Sequence, residues 1–229
     1  MPRSIRLADT LGALAGVAFS VLMFVSTASV DPKVGVSDQE LQTWWADSGN
    51  RNAFVISMYT LLLACPMFLL FISRLRTRLR AADVNGWADT VFAFGIVVTA
   101  TLGVCAVFRG VVATSMRFAD EPLPGVDTLR FATSLIYATY DLVFLFVAVL
   151  IAIVSVLALV THVLPRWLGW LGVPVTAGIV ILWVIHAAPF AIPLLIIWVL
   201  ANSVHLWRAP VSAPVGSTTW QPEVSSSRA

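Results

Sequence analysis

Between Leu142 and Val160 the chain carries no charge and a single hydroxyl, that of Ser155. A run of this length matches the roughly 20 apolar residues that take an α-helix across a bilayer core about 30 Å thick. Taken with its flanks it gives a span at roughly 139–162, and comparable runs lie at roughly 9–30, 52–73, 87–112, 167–186 and 189–207. Only 11% of the 229 residues are charged and 59% are hydrophobic. A soluble domain carries about a quarter charged residues, so these charges are too few to cover a soluble globule. The expected fold is all-α: an integral membrane bundle of six transmembrane helices over residues 1–208, with a short extracytoplasmic amphipathic helix. The tail 209–229, rich in Ser, Pro and Val, is expected to be disordered and cytoplasmic.

The first apolar run, Leu11–Val30, follows Arg3 and Arg6 and reaches the small residues Ser26, Thr27 and Ala28. A signal peptide begins in the same way. The run is as long as a full span, so an uncleaved first helix is the expectation and cleavage the alternative. Gly12 and Gly16 stand at GxxxG spacing, which lets helices approach closely. Asp31-Pro32 ends the run. Ser37-Asp38-Gln39-Glu40 then fits a capping box, in which the Ser and Glu side chains each satisfy a free backbone amide. Leu41, Trp44 and Trp45 follow on one helical face. That helix lies on the membrane with its indoles at headgroup level, or packs over the mouth of the bundle, and the two placements are compatible.

Pro66 falls inside the second span and is expected to kink it, because it offers no amide hydrogen to the carbonyl four residues earlier. The helix signal from Asp127 to Leu164 is too long for one straight span, so its first turns should project beyond the membrane. The linker His186-Ala187-Ala188-Pro189 predicts a tight antiparallel hairpin between the fifth and sixth spans.

Threading six spans with the N-terminus inside puts Arg3, Arg6, Arg74, Arg76, Arg78, Arg80, Arg166, Arg208 and Arg228 on the inner side, nine of the 14 basic residues. The acidic residues Asp31, Asp38, Glu40, Asp47, Asp120, Glu121 and Asp127 fall outside. Basic residues near short loops set topology. The expected location is therefore an inner (plasma) membrane, multi-pass, with both termini cytoplasmic. The cluster Arg74, Arg76, Arg78, Arg80 reads as the topogenic signal, or as a binding site for anionic lipid headgroups.

Ionisable residues at membrane depth are the candidate functional groups. At roughly 1.5 Å of rise per residue, Arg109 lies about 28 Å above Thr90, Asp141 about 31 Å above His162 and His186 about 28 Å above Trp167. All three approach the outer border of the core. An Arg109–Asp141 ion pair between the third and fourth spans is expected, extended by His186 and Tyr140. It is either a clamp between helices or an outward-facing polar pocket for a small ligand, ion or headgroup.

No catalytic residue is assigned. HExxH, GxSxG and Walker-type patterns are absent, and no two carboxylates share a span. The cysteines, Cys65 and Cys105, have no metal-ligand spacing and differ in depth by more than disulfide reach. No metal or other cofactor is expected, and the basic residues are not gathered as nucleic-acid binding requires.

The stretch WWADSGNRNAFVISMYTLLLACPMFLLFISRLRTRLR (Trp44–Arg80) and the stretch LPRWLGWLG (Leu164–Gly172) together resemble a recurring pattern in bacterial six-helix membrane proteins of unknown function, similar to the DUF4386 type. The resemblance implies a six-helix bundle and supplies no activity or site residues. The leading expectation is a non-enzymatic protein with a structural, partner-binding or lipid-interacting role, its partners being membrane lipids and a membrane protein. A small transporter or channel component using the outer Arg/Asp/His cluster is the alternative, and a lipid-modifying membrane enzyme a second.

Overall fold

A computed structural model describes residues 3–27, 32, 35–81, 86–119 and 121–208. Among the described residues seven α-helices follow in order: α1 (Arg3–Ser26), α2 (Asp38–Ala46), α3 (Ser48–Ala81), α4 (Trp87–Phe118), α5 (Val126–Thr161), α6 (Arg166–Val184) and α7 (Ile192–Arg208). A single 3-10 turn at Ala188–Ala191 leads into α7. Among the described residues, six helical segments are long and apolar enough to cross a membrane. The protein is therefore a multi-pass membrane bundle. The predicted tail 209–229 lies outside the described residues.

α3, α4 and α5 overrun their predicted spans, because helical backbone bonding need not stop where the apolar run does, whereas α1 and α6 end a few residues early and α7 starts a few residues late. α4 reaches Phe118, and α3 runs to Ala81 through Pro66 as one helix. α5 starts at Val126, several turns before the strictly apolar run, as its length required. Between α6 and α7 the expected tight hairpin contains the 3-10 turn.

In space the order is α7, α1, α3, α4, α5, α6, each packed on the next. α7, last in the chain, lies against α1, while α6 leans mainly on α5 and touches α7 more lightly. Without a hydrophobic drive between helices in lipid, close packing and polar contacts must hold such a bundle. The GxxxG face supplies the close packing. A Cβ on Gly16 would strike Ser203 of α7 and come within 2.9 Å of the Phe71 ring of α3, and one on Gly12 would meet the Arg74 side chain at 2.6 Å. Phe19, Phe68, Phe71 and Trp198 fill the space behind, their ring centroids 4.8–6.2 Å apart along the chain of contacts.

The capping box forms: Ser37 Oγ accepts from the Glu40 amide (3.3 Å), and the Ser37 amide donates to Glu40 Oε2 (3.1 Å). It starts α2 at an angle that turns Leu41 and Trp45 inward. Trp45 is fully buried, edge-on to Phe54 at 5.4 Å, and Trp44 is half-buried. α2 packs over the mouth of the bundle, against α3 and α5. Arg130 of α5 holds α2 down through Asp38, and Arg51 donates to the Trp45 carbonyl (2.7 Å) at the other end of α2. Among the described residues the Trp45 indole N–H is buried without a hydrogen-bond partner. That omission costs about 1–3 kcal/mol, which the edge-on aromatic contacts with Trp44 and Phe54 must offset.

Gly16→Val tests the close approach. Overpacking of this kind costs about 1–3 kcal/mol, so the detergent-solubilised variant should melt several degrees below wild type. An unchanged or raised melting temperature, as helix propensity alone would give, would remove Gly16 as a packing notch.

Candidate functional site: polar clusters at the two ends

At the end covered by α2, Arg109 projects from α4 into the bundle and is 1% exposed. Its Nε donates to Ser57 Oγ on α3 (2.6 Å), and Nη1 donates to the Tyr140 hydroxyl on α5 (3.3 Å). Its guanidinium lies 4.4 Å from the Phe54 ring centroid and 5.9 Å from that of Tyr140. Ser57 Oγ in turn donates to the Ser26 carbonyl at the end of α1 (2.8 Å). One arginine thus joins four helices. Such an arrangement suits guanidinium, a planar fork that carries five N–H donors and stacks on aromatic faces.

The expected Arg109–Asp141 pair does not form. Tyr140 and Asp141 are consecutive, so their side chains leave α5 about 100° apart. Tyr140 faces Arg109, while Asp141 faces the α6–α7 connection and lies 3.4 Å from His186 Nδ1. The His186 side chain is 85% exposed, and that of Asp141 is 27% exposed. The four predicted residues therefore divide into a buried couple, Arg109 and Tyr140, and a peripheral couple, Asp141 and His186. His186 also has a backbone task. It sits at φ 55°, its amide donates to the Trp183 carbonyl (3.0 Å), and the next amide donates to the Leu182 carbonyl (2.7 Å). This is a Schellman ending for α6, with His where Gly is usual.

The four arginines at the opposite end also divide. Arg74 and Arg78, one helical turn apart, converge on Asp9 of α1: Arg74 Nε lies 2.6 Å from Oδ1 and Arg78 Nη2 lies 3.0 Å from Oδ2. Asp9 is buried. Arg76 and Arg80 point away by about 200°, two residues of helical rotation. They meet Asp89 in the first turn of α4 at 2.7 and 2.8 Å, in the open. Arg76 also lies over the Phe92 ring at 4.6 Å. Leu75 and Leu79, between them, are fully buried.

Ser57, Phe54 and Asp9 escaped the sequence reading. The i, i+4 spacing within Arg-Leu-Arg-Thr-Arg-Leu-Arg announced two pairs of arginines, but the partners depend on which helices are neighbours. Among the described residues no three His, Cys, Asp or Glu side chains converge as a metal site requires. Both cysteines are free thiols. Comparisons with protein-family models, characterised proteins and solved structures give no match. The six-helix resemblance therefore rests on its two motifs, and the function must be argued from the clusters themselves.

The clusters predict unequal mutational costs. Removing one member of a buried, hydrogen-bonded charge cluster costs about 3–5 kcal/mol. Arg109→Gln and Asp9→Asn should each lower the melting temperature markedly in detergent. Asp89→Asn and Asp141→Ala, at solvated or peripheral positions, should leave it close to wild type. Equal losses at Asp9 and Asp89 would contradict this division.

Proposed function

We propose that this is a non-enzymatic, lipid-interacting structural protein of a bacterial plasma membrane, with both termini cytoplasmic and its basic end set against the inner leaflet. The observation that carries the reading is the basic end itself. Four arginines there, Arg74, Arg76, Arg78 and Arg80, meet two aspartates, Asp9 and Asp89, among the described residues, and the Arg80 side chain is 56% exposed. A juxtamembrane arginine gains about 1 kcal/mol from an anionic leaflet. The same charges satisfy the rule that basic residues stay inside.

The other end supports a clamp rather than a conduit. Arg109 is 1% exposed and held by Ser57, Tyr140 and Phe54, the bonding of a group that joins helices.

Two measurements test the proposal. Single cysteines placed at Asp38 and Thr77, in a background with Cys65 and Cys105 replaced, should react with an impermeant maleimide from outside the cell only at residue 38; the reverse pattern would invert the topology. Phosphatidylglycerol should raise the melting temperature of the full chain in detergent by several degrees relative to phosphatidylcholine, a shift expected to shrink at high salt. Equal effects of the two lipids would refute the lipid-interacting role.

A further inference from the structure

Between α1 and α3 an open groove of about 490 Å³ runs down the outer surface of the bundle. Small residues form its floor on α1: Gly12, Ala15 and Ala18. Leu11 and Leu14 wall one side, and Met67 and Leu70 the other. At the basic end the lining changes character, to Ser73, Arg74 and Thr77. The volume lies within the roughly 300–1,000 Å³ of small-ligand sites. The groove is apolar except at one end.

We infer that this groove holds an acyl chain of one anionic phospholipid from the leaflet at the basic end, its phosphate resting at the lip formed by Ser73, Arg74 and Thr77. The inference builds on the lipid-interacting role proposed above and gives it a place.

Three observations select this occupant. The first is length. From Leu11 to Ala18 the groove covers about 10 Å of α1, and from Met67 to Thr77 about 15 Å of α3. That is about half of a core roughly 30 Å thick. A chain from one leaflet fits that reach, whereas a partner's transmembrane helix would need a groove across both. The second is charge. Arg74, at the lip, belongs to the stretch Arg74–Arg80, which holds four arginines and no acidic residue, so this end of the groove is basic and attracts an anionic headgroup. The third is polarity along the groove. Ser73 and Thr77 are exposed and stand one turn apart beside Arg74; the Thr77 hydroxyl donates to the Ser73 carbonyl (3.0 Å), so the Ser73 hydroxyl and the basic charge sit together where a headgroup would be. Free phosphate would use the lip and leave the apolar walls uncovered.

Native mass spectrometry of the full-length protein tests the site, with phosphatidylglycerol or phosphatidylcholine added to the detergent. Wild type should retain one phosphatidylglycerol at least fivefold more than phosphatidylcholine. Ala18→Phe fills the floor without touching any charge. It should lose most of that adduct, at least fivefold, while keeping its lipid-free melting temperature. Arg76→Gln with Arg80→Gln, on the opposite face of α3, should keep the adduct. Leu14→Trp is a second obstruction of the wall should Ala18→Phe fail to fold.

An adduct unchanged by the filling variants but lost with Arg76 and Arg80 would overturn the groove and leave the broader lipid role standing. Equal retention of the two lipids in wild type would overturn both. Inorganic phosphate protecting the protein as well as the lipid does, or a co-purifying protein subunit displaced by Ala18→Phe, would also overturn the groove as a lipid site.

Discussion

Inside a bilayer there is no water to take up an unused donor or acceptor, so every polar group must find its partner within the protein. The structure depends on how this chain meets that demand. Most of its hydroxyls turn back to their own helices: Ser20 donates to the Gly16 carbonyl (2.9 Å), Thr99 to Gly95 (2.7 Å) and Ser155 to Ile151 (2.6 Å). These contacts satisfy the groups without joining anything. Among the described residues the cross-helix bonds are fewer and, apart from the weak one from Cys65 Sγ on α3 to the Thr99 carbonyl on α4 (3.6 Å), they sit at the two ends. Arg109 joins α3, α4 and α5, with Ser57 extending the link to α1, and Asp9 joins α1 to α3. Between these ends the bundle is held by close packing, through the Gly12–Gly16 face and the aromatic rings behind it.

The division of labour explains why a chain with so few charges buries some of them. A charge at membrane depth is costly on its own. Once ringed by donors, acceptors and aromatic faces, it fixes which helices lie side by side. Apolar packing is less particular, since one leucine surface resembles another.

The number of spans, the capped helix before the second span and the level of the polar groups along the membrane normal were all legible in the sequence. Each depends on rise along a single helix or on local hydrogen bonding. Partner choice was not legible. Depth puts Arg109, Tyr140, Asp141 and His186 on one level, but it says nothing of which way each side chain leaves its helix or which helix stands beside it. Tyr140 and Asp141 differ by one residue and a large rotation, and that rotation separates the buried couple from the peripheral one. Asp9 drew no attention in the sequence because nothing in its neighbourhood says that α1 lies against α3. The spacing of the arginines did carry the information that they form two pairs. The carboxylates that receive them become visible only in three dimensions.

The position of α7 has a consequence for assembly. Chains enter the membrane from the N-terminus onward, and α7 is the last of the described spans to be made, yet it packs against the first. Until it arrives, the Gly16 notch and the Phe71 ring have no covering from that side. The growing chain thus holds a place open while four further spans insert and closes its ring in a single late step, so a membrane chaperone would find its exposed surface on α1 rather than at the newest segment.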